Sequence, residues 1–288
     1  MELVEVNETL INTLRLGRGS PVVMVHGLFT GSLASWVFTC APGLSDTHEV
    51  LLYDLRGHGR SARPRKGYDL ATLSNDLDAL THWAFGLEPF ALIGHSYGAM
   101  IAAHFAATAP ARVEKLALVD APLDPSPLAD LGDDNGGNVG LGEGGSGEGG
   151  LGLGLGLGEL SLADLARTWG PASQPARPLG RRKERSIKAL INDTDILQDL
   201  RGQEPIPDAT LAQVTAPTLC VYGDHSPYLA AGRHLASVIP DARLVVLKAG
   251  HMVHLDATHD LTTQLRALLD GRSGSDGGSG SDGGSGYA

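Results

Sequence analysis

The sequence is poor in cysteine and has no long apolar run. Its two cysteines, Cys40 and Cys220, lie 180 positions apart, so the chain has neither a disulfide framework nor the paired spacing of a zinc site. No apolar run reaches the roughly 18 residues of a membrane-spanning helix, and no basic stretch followed by an apolar one marks the N-terminus. We therefore expect a cytoplasmic protein with no metal, no cofactor and no membrane partner.

Positive charge is also scarce. The chain has 22 Lys and Arg against 33 Asp and Glu, a formal net charge of −11. Its only basic run is Arg181, Arg182, Lys183 and Arg185, which we interpret as a solvated helix face. Nucleic acids and anionic membrane surfaces need a basic patch, so neither is expected as a partner. The oligomeric state is left open.

Glycine is in excess, and its excess is local. Of 39 glycines, 14 fall within 132–158 and 8 within 271–286. The other 245 residues hold 17, which is the ordinary globular level of about 7%. Because glycine has no side chain to pack and loses much backbone entropy on ordering, we predict disorder for the tract 132–158 and for the tail 271–288.

Between these segments, short apolar runs rich in β-formers alternate with helix-like stretches such as Leu70–Phe85, which has apolar residues at helical spacing. Continuously apolar strands separated by helices predict an α/β fold, a mostly parallel β-sheet flanked by helices on both faces. The alternation stops after the sixth strand and resumes near Thr218. We therefore predict a core from 1–120 and 216–270 and a helical cap insertion over 121–215. Further predicted helices are Ser32–Leu44, Leu160–Trp169 and Ile187–Leu200.

The strongest chemical motif is Gly94-His95-Ser96-Tyr97-Gly98. It joins an apolar strand to a helix of small residues. A serine at such a tight turn is held in a strained conformation that exposes its hydroxyl, and a Cβ at either glycine would collide across the turn. Ser96 is therefore the predicted nucleophile, and the helix behind it begins with free N–H groups suited to an oxyanion.

Two further strand ends supply matching groups. After His26-Gly27, the N–H of Leu28 could join the N–H of Tyr97 in an oxyanion hole. After the last strand, Gly250-His251 offers His251 as the base, since histidine titrates near neutrality. We interpret His254 as structural, because no third ligand accompanies the His-x-x-His spacing in a recognisable metal pattern.

The segment Asp54-Leu55-Arg56-Gly57-His58-Gly59-Arg60-Ser61 looks catalytic. Its glycines predict a tight turn after a strand, and Asp54 and Arg56 could pair to brace it. We interpret the segment as structural rather than chemical.

Together, and in this order, these motifs resemble those of the α/β-hydrolase fold superfamily. The resemblance covers roughly 1–120 and 216–270, with 121–215 in the usual position of the cap. A serine at position 96 argues against the haloalkane dehalogenases and epoxide hydrolases of this superfamily, which use aspartate there.

The resemblance leaves the acid of the triad open. Many relatives carry it three residues after the glycine that ends the penultimate strand, where this chain has Ser226 after Gly223. Asp224 lies one residue after that glycine. Asp120 ends the sixth strand, a known alternative position in the superfamily. We favour Asp120 and keep Asp224 as the alternative.

The resulting hypothesis is a cofactor-free serine hydrolase that cleaves a small or medium carboxylic ester or thioester through an acyl-enzyme. Its partner would be a small-molecule acyl substrate. The alternatives are a C–C bond hydrolase, a tailoring thioesterase or acyltransferase, and a non-enzymatic receptor with the same fold. Apolar residues of the insertion would contact the acyl group: Leu160, Leu162, Leu165, Trp169, Ile187, Leu190 and Ile191.

Overall fold

The computed structural model describes residues 1–125 and 180–271. The described strands form one eight-stranded sheet in the order β1-β2-β4-β3-β5-β6-β7-β8. Their bounds are β1 Glu2–Val6, β2 Thr9–Leu16, β3 Ser20–Val25, β4 His48–Tyr53, β5 Phe90–His95, β6 Val113–Val119, β7 Thr218–Gly223 and β8 Ala242–Leu247.

Most of the sheet is parallel, as the sequence predicts. The strands from β4 to β8 across the sheet pair in parallel, whereas β1 and β2 form an antiparallel hairpin at one edge. Parallel strands bring their carboxyl ends to the same edge, so the loops after β3, β5, β6, β7 and β8 meet there. This edge carries the predicted nucleophile, the predicted base, both candidate acids and the two residues predicted for the oxyanion hole.

Helices cover both faces of the sheet, and each face has its own apolar core. The first core packs Leu73 and Leu77 with Ile101, and the second packs Trp36 with Leu261. The described α-helices are α1 Ala34–Val37, α2 Ala41–Leu44, α3 Leu70–Phe85, α4 Tyr97–Thr108, α5 Arg181–Asp193, α6 Ile196–Arg201, α7 Asp208–Leu211, α8 Leu229–Val238, α9 Val253–Asp256 and α10 Thr258–Leu269.

The prediction of one helix over Ser32–Leu44 is wrong, because the segment forms the two short helices α1 and α2. Pro42 lies in the first turn of α2, where its missing N–H is tolerated. Continuation of α1 through this position would lose a hydrogen bond and bring the proline ring against the carbonyl of Phe38.

The prediction of helix over Ile187–Leu200 is wrong at its start and in its middle, whereas its end lies within one residue of the end of α6. Helix α5 begins six residues earlier, at Arg181. It ends at Asp193, and the helical conformation is interrupted before α6 begins at Ile196. At the break, the Thr194 hydroxyl donates to the Leu190 carbonyl at 2.5 Å and accepts from the Ile196 N–H at 3.3 Å. This side chain competes with the backbone for helical hydrogen bonds.

Helices α5, α6 and α7 follow the sixth strand, at the position predicted for the cap. The predicted helix Leu160–Trp169, the glycine-rich tract 132–158 and the tail after Gly271 lie outside the described residues. Among the helices that are described, none combines the length and the apolar character needed to cross a bilayer.

Candidate active site

Ser96 lies in the sharp turn between β5 and α4. Its backbone has φ 56° and ψ −126°, a conformation that side chains adopt only under strain. A Cβ on Gly94 would lie 2.3 Å from the Gly98 carbonyl oxygen, and a Cβ on Gly98 would lie 2.5 Å from that of His26. The collisions predicted for these two glycines are confirmed. The sequence Gly-x-Ser-x-Gly is therefore required by the close approach of β5, α4 and β3.

His251 reaches Ser96 from the loop after β8. Its Nε2 atom lies 3.1 Å from Ser96 Oγ, within hydrogen-bond distance. The His251 side chain is 2% exposed, and its ring meets that of Tyr228 edge-on at 5.0 Å. Burial among these groups fixes the direction in which the imidazole points.

Asp120 completes the chain of hydrogen bonds. Its Oδ2 atom lies 2.7 Å from His251 Nδ1, and the carboxylate is fully buried. The residue has φ 49°, and its N–H donates to the Val221 carbonyl at 2.8 Å. A left-handed backbone directly after β6 thus turns the carboxylate inward to His251. A proton on Nδ1 leaves Nε2 free to accept from the Ser96 hydroxyl.

Asp224, the alternative acid, has another partner. Its Oδ1 atom accepts the Ala249 N–H at 3.0 Å, and its side chain is 37% exposed. The carboxylate therefore ties the loop after β7 to the segment that leads into His251. The structure brings Ser96, His251 and Asp120 together and leaves Asp224 beside them.

Ser226 is a site residue that the sequence analysis did not assign. Its hydroxyl donates to Asp120 Oδ2 at 2.5 Å, and the Gly223 N–H donates to Asp120 Oδ1 at 3.1 Å. The residue at the superfamily's usual acid position thus holds an acid that comes from the neighbouring strand. The sequence signal that could have identified Ser226 is the Gly-x-x-Ser pattern that begins at Gly223, the last residue of β7.

The two amides predicted for the oxyanion hole flank Ser96. Leu28 follows β3 and borders the same small pocket as Ser96 and His251, and Tyr97 is the first residue of α4. Neither amide donates a hydrogen bond to another residue within 1–125 and 180–271. The Tyr97 N–H has no partner within α4 because it lies at the start of that helix. Both groups are therefore available to a developing negative charge.

The Asp54–Ser61 segment braces the loop after β3. The Leu55 N–H donates to His26 Nε2 at 3.0 Å, and the Phe29 N–H donates to His58 Nε2 at 2.9 Å. Each loop thus supplies a histidine that accepts from the other loop. The Leu33 N–H also donates to Asp54 Oδ1 at 2.8 Å, so the segment fixes the loop that contains Leu28.

The predicted pairing of Asp54 with Arg56 is wrong. Arg56 instead makes two hydrogen bonds of 2.7 Å to the Asp76 carboxylate on α3, and both side chains are buried. The Asp54 carboxylate accepts hydrogen bonds from the N–H groups of Leu33 and Arg60 and from the Asn12 side-chain amide. Asp54 serves as an acceptor for the backbone, and Arg56 anchors its loop to α3.

The bracing histidines must stay neutral, because a ring nitrogen can accept only when it is unprotonated. Burial lowers the pKa of His26 to about 4 and that of His58 to about 3. In both, Nδ1 carries the proton and faces a carbonyl oxygen, at 2.7 Å in His26 and 2.9 Å in His58. The lowered pKa values indicate that both rings are neutral, and the hydrogen-bond geometry places the proton on Nδ1 in each.

His254 borders the same pocket as Ser96 and His251. Its ring meets His95 edge-on at 4.5 Å and lies 5.3 Å from the Trp36 ring. Burial lowers the pKa of His254 to about 3. His95 Nε2 lies 2.9 Å from the His251 carbonyl oxygen, so the residue before Ser96 binds the backbone of the loop that carries His251. Within the described part of the chain, no cluster of His, Cys, Asp or Glu could hold a metal ion.

A mostly parallel sheet with helices on both faces and a serine at a strained strand-to-helix turn defines a protein of the α/β-hydrolase class. Comparison with known proteins agrees: the family model for the alpha/beta hydrolase fold matches residues 20–140. The enol-lactonase of Burkholderia xenovorans has the same fold, with a TM-score of 0.71 at 19% identity, covering 93% of this chain and 100% of that one.

Curated relatives match in sequence as well. One is the dihydrolipoyllysine-residue acetyltransferase component of the acetoin cleaving system of Cupriavidus necator, 30% identical over 275 residues, which cover 94% of this chain and 69% of that protein. Another is human 1-acylglycerol-3-phosphate O-acyltransferase ABHD5, 34% identical over 115 residues, 39% of this chain and 32% of that protein. The chain belongs to the α/β-hydrolase superfamily, whose members are generally enzymes that act on esters.

Proposed function

We propose that this protein is a serine hydrolase that cleaves a small or medium carboxylic ester or thioester through an acyl-enzyme, without a cofactor. The observation that carries the proposal is the continuous chain of hydrogen bonds from Ser96 through His251 to Asp120. Such a chain activates a serine hydroxyl for attack on an acyl carbonyl.

In the acylation step, His251 Nε2 takes the proton of the Ser96 hydroxyl while Oγ attacks the carbonyl carbon. The Leu28 and Tyr97 N–H groups stabilise the resulting oxyanion. Asp120 stabilises the imidazolium of His251, which then gives its proton to the departing alkoxide or thiolate. The acyl group remains on Ser96.

In the deacylation step, His251 takes a proton from water, and the hydroxide attacks the acyl-enzyme. A second oxyanion forms and collapses, Ser96 Oγ leaves and recovers the proton from His251, and the carboxylic acid is released. Every proton moves through one histidine, which is why its orientation by Asp120 matters.

Transfer of the acyl group to an acceptor other than water is the second candidate function. The names of the two curated relatives described above, both acyltransferases, favour it. The two reactions share the acyl-enzyme and differ only in the nucleophile that resolves it. Adding alcohols, thiols and amines during ester turnover and measuring the acyl products separates the two.

A fluorophosphonate probe followed by an ester and thioester panel of increasing acyl length tests the main proposal. We expect one label per chain on Ser96, none in Ser96→Ala, and turnover of at least one panel member by the wild type. An unlabelled Ser96 in the folded protein, or activity in Ser96→Ala above one part in a hundred, would refute it.

A further inference from the structure

A groove of about 820 Å³ opens beside the Ser96 pocket. It lies between the loop after β3, the start of α1 and helix α5. Thr30 and Gly31 border both the groove and the Ser96 pocket, so the two spaces adjoin. A substrate bound at Ser96 can extend into the groove.

One side of the groove is apolar. Phe29, Leu33 and Val37 line it, together with Phe38, which is 85% exposed. Leu190 contributes from α5, consistent with the contact to the acyl group expected from the sequence. This side can bury the hydrocarbon part of a ligand.

The other side is cationic. Arg60, Arg181, Arg182 and Lys183 line it, and all four are exposed. Among the described residues of the lining, the one carboxylate is that of Asp54, which is buried and already accepts three hydrogen bonds. None of the four cationic groups has an ion pair or side-chain hydrogen bond to another described residue. Four positive charges that have no carboxylate partner among the described residues, in a chain of net charge −11, favour an anionic ligand.

One of these charges, that of Lys183, acts electrostatically on a residue of the Ser96 pocket. The pKa of His254, which borders the Ser96 pocket, is lowered mainly by burial and further by His251 and by the Lys183 ammonium. Lys183 is therefore within electrostatic range of the Ser96 pocket. The basic run Arg181–Arg185 is exposed, as its sequence predicts, but three of its four cationic residues also line this groove.

We propose that the substrate carries an anionic group, a carboxylate or a phosphate, which binds at Arg60, Arg181, Arg182 and Lys183 while its hydrocarbon part lies along Phe29 and Phe38. The inference rests on the proposed ester hydrolysis at Ser96 and names the class of ester. Arginine and lysine bind both kinds of anion through charge-assisted hydrogen bonds.

Matched ester pairs test this subsite. The carboxylate arm compares mono-4-nitrophenyl glutarate with 4-nitrophenyl pentanoate, which has the same chain length and no charge. The phosphate arm compares 4-(butanoyloxy)phenyl phosphate with phenyl butanoate. For each pair, the ratio of kcat/KM for the anionic ester to that for the neutral ester is measured at low salt and at 0.5 M salt.

In Arg182→Gln/Lys183→Gln we expect the anionic-to-neutral ratio to fall about tenfold in at least one arm, mainly through KM, and added salt should lower the wild-type ratio. Arg185→Gln is the matched control, since Arg185 lies on the same helix and does not line the groove. A ratio that is the same in the wild type, the double variant and the control in both arms would overturn the proposal.

A binding measurement separates this inference from the proposed hydrolysis. Glutaric acid monoanilide and pentananilide, which are not esters, are titrated into Ser96→Ala by calorimetry. Tighter binding of the anionic anilide, lost when Arg182→Gln/Lys183→Gln is added, supports the subsite even if no ester is turned over. Equal binding of the two anilides, together with an unchanged ester ratio in the phosphate arm, overturns the subsite and leaves hydrolysis at Ser96 unaffected.

Discussion

Two carboxylates end neighbouring parallel strands, and only one reaches His251. Asp120 follows β6, is fully buried, and lies 2.7 Å from His251 Nδ1. Asp224 follows β7, is 37% exposed, and accepts the Ala249 N–H. A position at the carboxyl edge of the sheet is thus necessary but not sufficient for a triad acid.

The backbone makes the difference. Asp120 has φ 49°, which turns its side chain across the sheet edge, where the Ser226 hydroxyl and the Gly223 N–H accompany it. These donors satisfy the oxygens of a carboxylate that is buried away from water. The loop after β6 therefore supplies the carboxylate, and the end of β7 and the loop after it supply the groups that hold it in place.

The largest expected effect comes from removing the charge of Asp120. Asp120→Asn keeps the shape but presents an amide that can impose the wrong tautomer on His251, so kcat should fall ~10⁴-fold. Steady-state kinetics on the best ester of the panel measures this. If Asp224→Asn falls that far and Asp120→Asn does not, the assignment of the two carboxylates must be exchanged.

Lowering the pH should destabilise the folded protein through the two buried histidines that brace the loops after β3 and β4. The pKa of His26 is lowered to about 4 and that of His58 to about 3, both below the ordinary value of 6.5. Their contribution to stability is therefore fully present above pH 6.5 and is lost as the pH falls toward 4, at up to ~1.4 kcal/mol per pH unit for each histidine.

Denaturant unfolding between pH 7 and pH 4.5 measures this slope. His58→Gln is the matched variant, because its amide oxygen can still accept the Phe29 N–H without titrating. The variant should show a shallower slope than the wild type. Identical slopes would mean that His58 is protonated to the same extent in the folded and unfolded chains.

A smaller effect is expected at Ser226. Ser226→Ala removes the hydroxyl that donates to Asp120 Oδ2 and leaves the contact with His251, so kcat should fall about tenfold. Ser226→Thr retains a hydroxyl and should recover most of the loss. Full activity in Ser226→Ala would show that the Gly223 N–H holds Asp120 without help.

The smallest effect is expected at Asp224. An asparagine at this position can still accept the Ala249 N–H, so Asp224→Asn should lose less than about tenfold in kcat. Asp224→Ala, which removes the acceptor, should lower stability by about 1 kcal/mol. Thermal unfolding of the two variants separates the tie to Ala249 from any role in turnover.

Most of the candidate site at the carboxyl edge of the sheet could be predicted from the sequence, because local contacts determine which residues it needs. Gly94 and Gly98 are required by contacts that occur wherever a strand turns sharply into a helix over a serine, and continuously apolar strands indicate a covered parallel sheet. The ends of α3 also agree with the predicted bounds, since apolar spacing and flanking residues define them.

The remainder depends on contacts between distant segments. Arg56 pairs with Asp76, twenty residues away, rather than with Asp54, and no local pattern distinguishes these two carboxylates. Ser226 meets Asp120 across 106 residues. The break at Thr194 arises from a single side chain that competes with helical hydrogen bonds, which apolar periodicity does not report.

The hydrogen bond between His251 and its acid can be measured directly, without a substrate. In protein labelled with ¹⁵N-histidine, a strongly downfield-shifted proton coupled to Nδ1 of His251 reports a short hydrogen bond to a carboxylate. We expect this resonance in the wild type and in Asp224→Asn, and its loss in a folded Asp120→Asn. Its persistence in Asp120→Asn together with its loss in Asp224→Asn would contradict the assignment of Asp120 as the acid.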